Sequence, residues 1–150
     1  MGREELVSQR LEVIDPAAPP PVWAALRNEA ERAAKTEPGL GSLLNAVILA
    51  HENLGAALSY QLARKLGDQE LRAMSLREIA DQAYRADPNL VAIAEADLRA
   101  VFERDPACKG YVQPFLFFKG FLALQAQRVS HWLWHEGLSL IHISEPTRPY

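Results

Sequence analysis

Two histidines on one predicted helix are the first residues whose type and spacing could support chemistry. His131 and His135 lie four positions apart within residues 114–137, a spacing that can bring two imidazoles onto one metal ion. No carboxylate stands between them in the HExxH arrangement, and no third ligand is evident. The pattern therefore favours an ordinary aromatic-rich helix face, shared with Trp132 and Trp134, over a metal site.

The remaining histidines and the single cysteine are weaker candidates. His51 precedes Glu52 at a predicted helix junction, where capping and interhelix hydrogen bonds are the common duties of a polar side chain. His142 falls in a C-terminal tail of doubtful origin. Cys108 has no histidine in the sequence placed to activate it as a nucleophile, so we expect a small, inert side chain.

Asp105 is a better candidate for a functional residue. It continues the apolar line of the preceding helix, which is formed by Leu90, Ala94, Leu98 and Val101, and it stands where that helix must end before a proline. A carboxylate there meets the negative end of the helix dipole, which costs about a few tenths of a kcal/mol or more. We therefore expect a partner group that offsets this unfavourable interaction of the Asp105 carboxylate. The pattern alone favours a functionless Asp-Pro turn paired with the neighbouring arginine and leaves a functional carboxylate open.

Composition excludes several classes of protein. Lys and Arg total 16 against 19 Asp and Glu, which gives a formal net charge of -3. The sequence has no cluster of basic residues that could bind along a phosphate backbone, so we expect no nucleic-acid partner. No apolar run approaches ~18 residues, and the first 15 residues lack the apolar core of a signal peptide, so we expect no membrane partner. One cysteine allows no internal disulfide, which suits the cytoplasm. Without a phosphate-binding loop or a GxSxG motif, neither a cofactor site nor a catalytic residue is predicted.

Helical signals fill the middle of the chain. Ser75 and Glu78 have the spacing of a capping box, and Asp87 followed by Pro88 has the form of an N-cap with proline in the first turn. No alternating run of β-branched residues occurs before Gly137. The predicted fold class is therefore all-α, an antiparallel array of about six helices. Their predicted ranges are 22–36, 40–51, 53–66, 75–86, 88–104 and 114–137.

The two ends of the chain differ from this helical part. Residues 16–21 contain four prolines, so residues 1–21 are predicted to be a flexible arm and proline-rich linker, and 22–137 the helical domain. From 138 the sequence is LSLIHISEPTRPY. The first eleven of these letters match the conceptual translation of a transposase-type sequencing adapter. We therefore predict a non-native tail at 138–150, the alternative being a strand and a frayed end.

The order of these segments resembles the N-terminal helical domain of bacterial serine O-acetyltransferases. With the helix that contains Trp23, the matching stretches span nearly all of residues 23–137. They are HENLGAALSYQLARKL at 51–66, SLREIADQAYRADP at 75–88, ERDPACKGY at 103–111 and PFLFFKGFLALQAQRVSHWLWHEG at 114–137.

The resemblance implies a fold and an activity for a longer parent protein. In this family the helical domain is followed by a left-handed parallel β-helix of hexapeptide repeats, which is missing from this chain. The enzymes transfer acetyl from acetyl-CoA to the hydroxyl of L-serine, giving O-acetyl-L-serine for cysteine biosynthesis. Their general-base histidine and the aspartate that holds it belong to the β-helix. The fragment itself is therefore expected to be inactive and to bind no cofactor, acetyl-CoA being the co-substrate of the parent enzyme.

The resemblance also assigns one site residue and several partners. It places the family's serine-binding aspartate at Asp105, within the RDPA motif at 104–107, and so favours the functional interpretation of that carboxylate. Cysteine, the feedback inhibitor, would compete at the same pocket. The implied assembly is a hexamer, a dimer of trimers held by helical domains, with a complex between the parent enzyme and O-acetylserine sulfhydrylase. The alternative function is a self-standing helical interaction or oligomerisation module without catalysis.

Overall fold

The computed structural model describes residues 21–135, and these residues form seven α-helices and no strand. The predicted all-α class is confirmed. The helices are α1 (Val22–Thr36), α2 (Gly41–Leu44), α3 (Leu54–Leu66), α4 (Ala73–Ala86), α5 (Pro88–Arg104), α6 (Val112–Phe117) and α7 (Lys119–His135). A 3₁₀ turn (Pro38–Leu40) precedes α2 and a π turn (Asn45–Leu49) follows it. The predictions made for residues 1–20 and 136–150 lie outside the described residues.

Two predicted helix starts are formed by side-chain caps. The Asn53 side chain accepts a hydrogen bond from the Ala56 N–H at 2.9 Å, so α3 begins where the sequence predicts. The Asp87 carboxylate accepts from the Asn89 N–H at 3.1 Å, and Pro88 occupies the first turn of α5. Both caps satisfy backbone donors that the first turn of a helix leaves without an intrahelical partner.

The predicted N-cap at Ser75 is wrong, because α4 already begins at Ala73. The turn before α4 is unusually close: a Cβ on Gly67 would lie 2.8 Å from the Ala73 Cα. The Asp68 carboxylate closes this turn by accepting the Leu71 N–H at 2.7 Å. The chain therefore enters helical geometry before the serine is reached, and a short-range capping pattern is overridden by contact with the end of α3.

The single helix predicted over 114–137 is two helices, α6 and α7, separated at Phe118, whose backbone is extended (φ -83°, ψ 103°). Phe115 and Phe121 flank the break, both are buried, and their ring centroids lie 6.3 Å apart. In one continuous helix these positions would point about 120° apart, since each residue turns the helix by about 100°. The break lets both rings enter the same core.

The core lies among all of these helices, with α3 packed along α4 and α7 against both α4 and α5. One fully buried amide joins α3 to α6. The Gln61 Nε2 donates to the Leu116 carbonyl at 3.2 Å, and its Oε1 accepts from the Arg64 Nε at 3.1 Å. This contact satisfies a carbonyl near the end of α6 that would otherwise lack a partner. Within residues 21–135 no helix is long and apolar enough to cross a membrane.

Candidate functional site

Asp105 ends α5 and turns the chain on itself. Its backbone N–H donates to the Val101 carbonyl at 3.0 Å, and its own carbonyl accepts from the Cys108 N–H at 3.0 Å. The Asp105 Oδ1 accepts from the Ala107 N–H at 2.9 Å, which makes an Asx turn. The partner that offsets the unfavourable helix dipole at the Asp105 carboxylate is thus the Ala107 N–H and not Arg104.

The side of Asp105 left open faces a cleft of about 680 Å³ between the end of α5 and the start of α7. Two cationic side chains, Arg104 and Lys119, line the same cleft. The rings of Phe118 and Phe121 supply its apolar wall. A half-buried carboxylate beside cationic groups is suited to a small zwitterion, because the anionic and cationic groups of such a ligand each find an opposite charge.

An ionic network holds the two walls of this cleft together. The Asp97 carboxylate on α5 accepts from the Gln125 Nε2 at 2.8 Å and pairs with the Arg128 guanidinium at 3.1 Å, both on α7. Gln125 is almost fully buried. None of the three residues was predicted from the sequence, although a glutamine and an arginine within a largely apolar helix were a usable signal.

The loop after Asp105 is fixed at its far end by a residue from α1. The Glu29 Oε2 accepts hydrogen bonds from the Tyr111 N–H at 2.8 Å and the Val112 N–H at 3.1 Å. These N–H groups begin α6, where a carboxylate satisfies free donors. Glu29 was not predicted from the sequence, because the 82 positions that separate it from Tyr111 leave no local pattern that would reveal it.

Cys108 lies in the same loop but is not prepared for nucleophilic chemistry. Its side chain is buried, and burial raises the pKa of its thiol, with further increases from the negative charge of Asp105 and a hydrogen bond to that carboxylate. A thiol with a raised pKa stays protonated at neutral pH, and the protonated form is a poor nucleophile.

His51 is a buried structural residue at the junction before α3. Its Nε2 lies 2.9 Å from the Ala46 carbonyl, which can only accept, so this nitrogen carries the proton. Its ring packs against Tyr60, with centroids 5.1 Å apart. Burial lowers the pKa of His51, the Ala46 hydrogen bond partly opposes that effect, and the charge of Arg77 lowers the pKa further. The imidazole is therefore neutral at physiological pH.

His131 and His135 lie side by side on α7, with ring centroids 4.3 Å apart and both side chains exposed. Within residues 21–135 no group of three or more metal-binding side chains comes together. Neither histidine lines the Asp105 cleft. The structure therefore does not bring the sequence's histidine candidates to its aspartate candidate, and His142 lies outside the described residues.

Comparisons with known proteins match most of the chain to one family. The family model described as serine acetyltransferase, N-terminal, matches residues 22–126. Serine acetyltransferase of Escherichia coli K12 is 49% identical over 116 residues, which are 77% of this chain and 42% of that protein.

Solved structures agree in fold. The crystal structure of Neisseria gonorrhoeae serine acetyltransferase in complex with serine has a TM-score of 0.75 at 43% identity, covering 80% of this chain and 50% of that one. A serine acetyltransferase in complex with CoA has a TM-score of 0.76 at 42% identity, covering 82% and 52%.

These matches share one feature, which is that they involve only part of each relative. The chain spans less than half of the length of the Escherichia coli protein and about half of each of the two solved chains. The family match itself covers most of α1 to α7, including the RDPA segment and the cleft beside it. The chain belongs to the serine acetyltransferase family, and its residues 22–126 form that family's N-terminal domain.

Proposed function

We propose that this chain is the helical part of a serine O-acetyltransferase, which transfers acetyl from acetyl-CoA to the hydroxyl of L-serine and supplies O-acetyl-L-serine for cysteine biosynthesis. Family membership supports the activity, and the names of solved relatives include complexes with serine and with CoA. A role of this domain in binding serine is supported by the Asp105 carboxylate, which lies in an open cleft with two cationic side chains.

Asp105 is proposed to bind the polar groups of serine. A carboxylate offers about four acceptor positions, and the Ala107 N–H occupies one of them. The remaining positions suit the ammonium or hydroxyl of an amino acid, while Arg104 or Lys119 suits its carboxylate. Cysteine presents the same ammonium and carboxylate groups, so we propose that it competes at this cleft.

The catalytic step is proposed to require residues from outside the described helical domain. Proton transfer from the serine hydroxyl needs a general base within hydrogen-bond reach, and no histidine is among the described residues that line the cleft. The 150-residue chain alone is therefore proposed to be inactive and to bind no cofactor. Release of CoA from acetyl-CoA and L-serine tests whether catalysis requires those outside residues and whether the chain alone is inactive. The protein made from the whole source gene should release CoA, and release above background by the 150-residue chain would refute the proposed inactivity.

We further propose that the helical domain joins copies of the parent enzyme into a dimer of trimers. Supporting this, Phe117 is 56% exposed and Leu66 is 45% exposed, and both line one cleft with Leu122. Exposed apolar side chains that are grouped in this way are typical of contacts between chains. Light scattering should give a hexamer mass for the whole enzyme and a smaller assembly for Phe117→Lys. A hexamer that survives this change would exclude the Phe117 surface.

The alternative function is a helical interaction module without catalysis, and the same exposed apolar residues favour it. Lack of serine-dependent CoA release by the whole gene product, together with self-association, would support this alternative over the enzyme. We also propose a cytoplasmic location, which the unpaired Cys108 suits, and association of the parent enzyme with O-acetylserine sulfhydrylase. Co-purification of the two enzymes from a lysate tests that association, and separate elution would contradict it.

A further inference from the structure

We infer that Glu29 is a positioning residue for serine binding, because it holds the loop that carries Asp105. The inference rests on the proposed function for the identity of the ligand. Glu29 belongs to α1, outside the RDPA motif, and it does not line the Asp105 cleft. It acts through the backbone of the segment that follows Asp105.

Glu29 contacts the loop through two hydrogen bonds from backbone N–H groups. One carboxylate oxygen, Oε2, accepts from the Tyr111 N–H at 2.8 Å and the Val112 N–H at 3.1 Å. Hydrogen bonds from backbone donors to a carboxylate are stronger than those between neutral groups. Glu29 is half-buried, so water competes with these donors only in part.

Gly110 leaves room for the Glu29 carboxylate because it has no side chain. A Cβ at residue 110 would lie 2.6 Å from the Glu29 Cδ and 2.7 Å from its Oε1, closer than a real Cβ approaches another atom. The carboxylate thus occupies the space that a side chain at this position would fill. Glu29 and Gly110 together form a clamp, in which a side chain at residue 110 would displace the Glu29 carboxylate.

The clamp and Asp105 are the two ends of one short loop. At the first end, the Asx turn and the Cys108 N–H bond to the Asp105 carbonyl fold residues 105–108. At the second end, the Tyr111 ring packs on Phe102 of α5, with centroids 5.2 Å apart. Because residues 109 and 110 alone lie between the Asx turn and the backbone N–H groups that Glu29 holds, we expect release of the clamp to loosen the turn that aims the Asp105 carboxylate into the cleft.

The test uses the whole enzyme, with serine and acetyl-CoA varied separately. Glu29→Ala removes the oxygen that accepts both hydrogen bonds, and we expect the KM for serine to rise on the order of tenfold or more, since displacement of a binding group by about 1 Å can cost up to about 100-fold. The KM for acetyl-CoA should stay unchanged. Glu29→Gln retains a side-chain oxygen that can accept, so its serine KM should lie between those of wild type and Glu29→Ala. Glu31→Ala, an exposed acid on the same helix, is the matched control and should leave both KM values unchanged.

A double-mutant cycle tests the clamp itself. Gly110→Ala should raise the serine KM in the wild-type background, because the new methyl group displaces the carboxylate. In the Glu29→Ala background the same change should have little further effect, since the atoms it meets are gone. Equal, additive effects in the two backgrounds would overturn the clamp.

Amide exchange in the 150-residue chain gives a readout without catalysis. The Tyr111 and Val112 amides should exchange faster in Glu29→Ala than in Glu31→Ala, and unchanged exchange would overturn the clamp. Parallel increases in both KM values, or no partial recovery by Glu29→Gln, would overturn the positioning role. If the wild-type whole enzyme does not acetylate serine, the proposed function fails and the serine-binding role of Glu29 fails with it, whereas faster exchange in Glu29→Ala would still establish the clamp.

Discussion

Replacement of Asp105 by asparagine separates its charge from its role in the turn. The Asn side-chain oxygen can accept the Ala107 N–H as the Asp105 Oδ1 does at 2.9 Å, so the Asx turn should survive. What asparagine removes is the negative charge that faces the cleft. The variant therefore perturbs ligand binding while it leaves the local fold in place.

The size of the effect follows from the kind of interaction lost. A hydrogen bond to a charged group contributes about 1.5–3 kcal/mol, which corresponds to roughly a 10- to 150-fold change in affinity. The serine KM of the whole enzyme should rise by such a factor in Asp105→Asn. Asp105→Ala should lose the same binding and also the Ala107 bond, which costs about 0.5–1.5 kcal/mol of unfolding free energy.

Steady-state measurement of CoA release, with each substrate varied in turn, reports the two KM values. Chemical denaturation of the 150-residue chain reports stability, and the rate of Cys108 alkylation against pH reports the charge. Asp105 raises the pKa of that thiol, so alkylation of Asp105→Asn should begin at lower pH than alkylation of wild type.

Either of two results would contradict these roles of Asp105. Equal increases in the KM for serine and for acetyl-CoA would show that Asp105 acts on structure rather than on serine. A loss of stability in Asp105→Asn as large as that in Asp105→Ala would show that the Asx turn depends on the charge and not on the acceptor oxygen.

Other predictions concern stability and the chain's C-terminal tail. The buried Tyr84 hydroxyl has no hydrogen-bond partner among residues 21–135, so Tyr84→Phe should stabilise by about 1 kcal/mol. Because burial raises the pKa of this phenol, unfolding releases protons at high pH. Denaturation curves should therefore show wild type losing more stability than Tyr84→Phe as pH rises above about 10. Gly67→Ala should cost about 1–3 kcal/mol by crowding the start of α4, whereas Gly39→Ala, with no atom within 4 Å of a new Cβ, should not destabilise. Phe115→Ala, at 1% exposure, should lower the unfolding free energy by about 3–5 kcal/mol. Amplification of the source locus with flanking primers should yield a gene without the codons for 138–150, and their presence would contradict an adapter origin.

Local chemistry made much of the fold predictable. The cap at Asp87 and the end of the helix before Asp105 depend on residues within a few positions, and both are formed. The failures have a common cause. Packing overrides the local pattern in both cases: α4 starts early where Ala73 contacts Gly67 at the end of α3, and the break at Phe118 brings the Phe115 and Phe121 rings into one core.

The candidate site was less predictable than the helices. The apolar spacing before Asp105 indicated a helix end but not a ligand, and only the resemblance to a family assigned serine to it. The cleft itself arises where the start of α7 meets the end of α5, so Lys119 and Arg104 become neighbours only in three dimensions. Glu29 reaches the loop from 82 positions away, a contact that no spacing rule describes.

Mass spectrometry of the product tests most directly whether the whole protein acetylates serine and binds it through Asp105. The protein made from the whole source gene would be incubated with L-serine and acetyl-CoA that carries a deuterated acetyl group. We predict serine that bears the labelled acetyl on its side-chain oxygen, formed by wild type and formed far more slowly by Asp105→Asn at low serine concentration. Labelled product formed equally by both proteins would contradict the role of Asp105, and no acetylated serine from wild type would contradict the proposed activity.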